Sequence, residues 1–153
     1  MINMVISAWE SQNTRVDKLL DKLTDEQLMM ETAPGRNSGV YLLGHLLAVN
    51  DGMLTLLGFG DKKYPELEAV FLKNPEKSDL EKPSIAELKK RWKEVNEALA
   101  AHMAKLTPDE WMGRHSAVSE EDFAKEPHRN KLSILISRAI HQGYHLGQLA
   151  YIG

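Results

Sequence analysis

The chain has 153 residues and a net charge of −3, with its lysines and arginines scattered along its length, so it lacks the basic stripe that nucleic-acid binding demands. Hydrophobic residues at 42% and charged residues at 27% suit a soluble globular protein, read as one domain over 1–153 that can bury a core. With no cysteine, disulfides, thiolate metal ligands and a cysteine nucleophile are excluded within the chain.

Met1 to Trp9 show neither the basic start nor the apolar run of a secretion signal. The longest apolar stretch, Val40 to Val49, is broken by Gly44 and His45 and falls short of the roughly 20 residues a membrane span needs. A cytoplasmic protein without membrane contact is expected.

Four segments carry helical periodicity, and none alternates as a strand does. The first runs from about Ile2 to Leu23, where Ile6, Trp9, Asn13, Val16, Leu20 and Leu23 recur three and four apart on one face. Asn13 is the polar exception. The second begins after Ser38, which reads as its N-cap, and ends near Leu57 before Gly58 and Gly60. The third follows Pro83, with Ser84 and Glu87 spaced as a capping box, and reaches about Lys105. The fourth, from about Asn130 to Ile152, is apolar nearly all round and is expected to be largely buried. Gly143 and Gly147 leave a strip on it where another helix can approach. The connections are longer than the usual bundle loop of about 2–8 residues, and they leave both up-down and crossover orders open. Lys22 to Met29 and Lys105 to Met112 echo one another, each with a Thr placed to cap a short turn. The echo reads either as shared capping grammar or as a two-fold repeat.

Of six histidines, His141 and His145 lie four apart, which puts both imidazoles on one helix face within reach of a single ion. They share a stripe with Ile134, Arg138, Gln148 and Ile152 on an otherwise apolar helix. Two unpaired imidazoles in a core would each cost about 1–3 kcal/mol, and a metal ion would satisfy both. His45 stands in the apolar run Leu42-Leu43-Gly44-His45-Leu46-Leu47. Alone it reads as a hydrogen-bonded core residue; beside the pair, the ligand reading is preferred. His102 is a reserve ligand on the third-helix stripe, while His115 and His128 fall in a polar loop and are expected to be solvated.

The histidine within the second helix, the H-x-x-x-H-x-G-Q pattern from His141 to Gln148, and their order and spacing along the whole chain resemble the DinB/YfiT-like family of proposed metalloenzymes. The resemblance implies an all-α four-helix bundle, often a homodimer. It also implies a three-histidine site at His45, His141 and His145 for one divalent ion. Zinc or nickel leads that list, and iron, manganese or copper also fall within it. It further implies chemistry on a small-molecule substrate, with a low-molecular-weight thiol such as mycothiol or bacillithiol in related enzymes.

Three neutral imidazoles leave an ion its full charge and an open position, the arrangement of catalytic sites, whereas structural zinc is closed by four protein ligands. Such an ion lowers the pKa of a bound water from 15.7 toward about 7, or acts likewise on a thiol. The expected activity is therefore thiol S-transfer or hydrolysis. Gln148 and Tyr144 are candidates for catalytic roles, Gln148 by bonding a bound water or by orienting His141. Arg138 can hold an anionic substrate group, and Asn13, Asn50 and Trp9 can line a pocket opposite the metal; packing or solvation is the plain alternative for each. The competing function is a non-catalytic bundle whose ion stabilises a dimer or interaction module, with His102 as a fourth ligand.

Overall fold

Helix starts along this chain are set by side chains that accept the first free amide hydrogens. The computed structural model describes residues 1–152. It contains α1 (Ile2–Lys22), α2 (Asp25–Leu28), α3 (Gly39–Leu56), α4 (Leu67–Phe71), α5 (Ile85–Met103), α6 (Pro108–Met112), α7 (Glu120–Lys125) and α8 (Lys131–Leu149). Ser38, Ser84 and Asn130 accept from the amides of Tyr41, Glu87 and Ser133 to open α3, α5 and α8, each worth about 1 kcal/mol. Thr24 with Gln27 and Thr107 with Glu110 form complete capping boxes for α2 and α6. The expected box at Ser84 is only half made. Glu87 turns its carboxylate to Arg91 Nε at 2.8 Å, not back to the cap. Gly58, at φ +77°, takes the left-handed conformation that ends α3.

The four long helices match the four periodic segments, and the connections expected as long loops hold the four short helices. Among the described residues the chain is all-helical, apart from isolated antiparallel bridges between Glu31 and Ser38 and between Arg114 and Asn130. No described helix is long and apolar enough to cross a membrane. α1 packs on α8 and α5, and α3 packs on α5 and α8. Trp92 donates to Asp17 at 2.7 Å, while Trp9 shares a cleft with Ala100, so α1 and α5 run in opposite directions. The apolar side chains meet in one core that includes Trp9, Leu43, Leu47, Trp92, Leu99 and Leu135. A carboxamide from each long helix crosses that core. Gln142 donates to Asn13, and Asn50 donates to both Asn96 and Gln142.

α8 corrects the expectation of a largely buried helix: only Leu132, Leu135, Gln142 and Leu149 are buried along it. Its neighbours α1 and α3 cover only part of its circumference, leaving Ile136, Ile140 and Tyr144 exposed at 42%, 70% and 64%. Gly147 faces open space, and Gly143 meets Gln12 at an ordinary 3.7 Å. The tightest approach at a glycine is at Gly44 of α3, where a Cβ would lie 2.2 Å from the buried Phe71 ring.

That contact seats α4 on α3 directly beside His45, and Phe71 has no room to withdraw. Gly44→Ala is expected to cost about 1–3 kcal/mol through overpacking. Chemical denaturation should show a lower midpoint with an unchanged slope.

Candidate metal centre

His45 projects from the middle of α3, and His141 and His145 project from successive turns of α8. His45 Nε2 and His141 Nε2 lie 3.1 Å apart, as do His145 Nε2 and His141 Nε2. All three residues place a ligand atom within 4.8 Å of the others. Bonds of about 2.0–2.1 Å at tetrahedral to octahedral angles set neighbouring ligand atoms roughly 2.9–3.4 Å apart. The two 3.1 Å separations fall inside that range, and the third is within 4.8 Å, so the three residues can reach one ion.

Hydrogen bonds on the outer side of the rings decide which way the lone pairs point. His45 donates through Nδ1–H to the carbonyl of Phe71 at 3.0 Å. His145 donates through Nδ1–H to Gln148 Oε1 at 2.6 Å. Both acceptors are oxygens, so in each neutral ring Nε2 carries a lone pair aimed inward. His141 can donate an Nε2 proton to one of these nitrogens but not to both. Without a cation, the inward lone pair of the other ring is left with no proton to accept. An ion satisfies all three at once, and the outer bonds are the kind that orient metal-bound histidines.

The setting also disfavours protonation of the two rings on α8. Burial, followed by the positive charges of His145, His45 and Arg138, holds His141 down at about 4. Burial also lowers His145, against the bond from Gln148, which raises it. Neutral imidazole is the ligating form. His141 Nδ1 is buried without a hydrogen-bond partner, so no bond on its outer side orients that ring as Phe71 and Gln148 orient the other two.

The remaining expected site residues separate into distinct places. Gln148 holds His145 and not His141. Tyr144 is largely exposed, sets its ring edge-on to His145 at 5.0 Å, and lines a groove of about 280 Å³ with Thr32, Arg36, Asn37, His145 and Gln148. Arg138 is half-buried, with Nε unpartnered. Trp9 and Asn13 line a separate cleft of about 420 Å³ between α1 and α5, and Asn50 is enclosed in the carboxamide network. His102 stacks on Phe59 at 4.9 Å and takes no part in the three-histidine cluster. His115, expected to be solvated, is only 8% exposed. Its loop is drawn against the end of α3, where Ser116 bonds the carbonyls of Thr55 and Leu56. His128 is exposed.

Two contributors escaped the sequence reading. The Phe71 carbonyl is a backbone group with no residue-type signature, although the glycine at 44 marked the close approach that brings it there. The turn carrying Thr32, Arg36 and Asn37 belongs to a connection without a motif. The spacing of Gln148 from His145, by contrast, was visible one turn apart.

Fold and site together define an all-helical protein with three imidazoles gathered as a candidate metal centre. The chain matches the DinB superfamily model over residues 8–149, a span that includes all three histidines, and it belongs to that superfamily. No curated protein matches the chain.

Replacing Gln148 by Leu removes the bond that orients His145 and is expected to weaken metal affinity about 10–100-fold. Competition with a chromophoric chelator would measure it; unchanged affinity would show that Gln148 does not support the site. The metal-free protein should also lose stability as pH falls. His141 ionises near 6.5 when unfolded but near 4 when folded, so the unfolded state binds more protons between those values. The stabilisation is complete above about 6.5 and lost on acidification towards 4. Denaturant midpoints across that window should fall more steeply for the parent than for His141→Asn.

Proposed function

We propose that this chain is a four-helix-bundle metalloenzyme of the thiol S-transferase or hydrolase type, with His45, His141 and His145 holding one divalent ion. The observation that carries this reading is the convergence of three Nε2 atoms whose outer nitrogens, on His45 and His145, are already committed to oxygen acceptors. Bound there, a divalent ion supplies Lewis-acid chemistry and lowers the pKa of a water or thiol that reaches it.

The chain's own residues divide the remaining work. Phe71 and Gln148 fix the tautomers of His45 and His145, so both rings present lone pairs without rearrangement. His141 stays neutral well below physiological pH. Gln148 Nε2 lies 3.5 Å from the Tyr144 hydroxyl, at the limit of a hydrogen bond. That leaves the phenol largely free to give a proton to a ligand in the groove. The absence of a fourth ligand in the cluster among the described residues supports a reactive centre over a structural clamp, with His102 stacked elsewhere on Phe59.

Elemental analysis of the purified protein should find about one divalent ion per chain. His141→Ala should abolish that content while remaining folded, and His102→Ala should retain it. Full metal content in His141→Ala would sink the assignment, and loss in His102→Ala would restore the clamp reading.

A further inference from the structure

The groove beside His145 continues into a second space of about 320 Å³, which shares Thr32, Arg36, Tyr144 and Gln148 and adds Tyr151. Among the described residues, Arg36 carries the only formal charge in this combined lining. The α1–α5 cleft differs, with Glu10, Asp17 and Glu97 set against Lys93. No carboxylate pairs with Arg36 among the described residues. Its acidic neighbour Glu31 instead accepts from the Gly35 amide at 2.8 Å.

Arg36 is also mounted on a tied turn. Its amide bonds the Ala33 carbonyl at 2.9 Å, Thr32 donates from both its amide and its hydroxyl to Asn37, and Gly35 takes φ +73°. The bridge between Glu31 and Ser38 joins the base of the turn to the start of α3. Arg36 therefore lines the groove from a fastened segment, in company with the neutral polar residues Thr32, Asn37, Tyr144 and Gln148.

One uncompensated positive charge with a planar fork of donors matches a single carboxylate. We infer that the groove selects a small molecule bearing a carboxylate remote from its reacting group, with Arg36 as the specificity-determining residue. The inference rests on the metal-centre reading, since His145 forms one wall of the groove. It assigns the Arg36 end to substrate recognition and leaves the histidine end to chemistry.

The test uses the full chain loaded with cobalt(II), whose visible spectrum responds to a thiol entering the metal's coordination sphere. It is titrated with 6-mercaptohexanoate and, in parallel, with 6-mercaptohexan-1-ol, which has the same length and no charge. The acid should bind about tenfold more tightly, the scale of one charge-assisted hydrogen bond, and added salt should narrow the gap. Arg36→Ala should erase the preference without changing affinity for the alcohol, and Arg36→Lys should keep part of it. Arg36 is exposed and makes no ion pair among the described residues, so the melting temperature of Arg36→Ala should match the parent. Equal binding of acid and alcohol by the parent, or a preference that survives in Arg36→Ala, overturns the assignment while leaving the metal reading intact. A spectrum that neither thiol moves defeats the metal-activation reading, and the assignment falls with it.

Discussion

Lone pairs repel, and the arrangement at His45, His141 and His145 aims at least two of them into one small space. The Phe71 carbonyl and the Gln148 amide oxygen each require a proton on the outer nitrogen of a ring. That requirement exposes the inner nitrogens as bases. Much of the nearby structure serves this constraint. Gly44 lets the Phe71 ring approach α3, α4 carries the carbonyl, and the i, i+4 register of α8 brings the other two rings to the same point. The same burial disfavours protonation of His141 and His145, and the cluster could hold a metal cation, which can accept several lone pairs where a proton serves one.

The carboxamide layer solves a different problem with related means. Asn13, Asn50, Asn96 and Gln142 place one polar side chain from every long helix in or near the core. A slip of one helix along its neighbour would leave buried amides unpaired, at about 1–3 kcal/mol each. Gln142 is adjacent to His141, so the register fixed by Asn13 and Asn50 also fixes the height of the histidine pair. The layer thus couples alignment of the helices to geometry at the centre. We read it as a device for specificity of packing, in the sense known for polar groups that set helix register.

The parts of this structure written in local chemistry were legible in the sequence. Ser38, Ser84, Asn130 and Gly58 fix helix ends through bonds or backbone angles within a few residues, and the expected boundaries lie close to the observed ones. The His141–His145 pair was equally legible, because i, i+4 spacing has one geometric meaning on a helix. His45 needed its partner helix, so its place depended on packing that periodicity does not encode. Long-range bonds account for the larger departures. Ser116 reaches back to Thr55 and Leu56 and carries His115 out of solvent. The exposed face of α8 follows from how far α1 and α3 extend around it, which the apolar composition of α8 does not state. Glu87 sits at the capping-box position, yet the closer competition from Arg91 determined its bond.

Stability bears on what an ion at this centre is for. Small zinc domains fold on their metal because they have little else to bury. Here Trp9, Trp92, Trp111 and Phe71 are all at most 1% exposed, and burying each such side chain contributes roughly 1.5–3 kcal/mol. The core extends well beyond the histidines, reaching α5, α6 and the end of α1, where none of the three ligands stands. Such a core has no need of a metal clamp to hold its helices. The cost of keeping three polar rings half-buried at one seam is therefore not repaid by folding alone. It is repaid if the ion, with an unfilled position beside the groove, acts on something that enters from solvent.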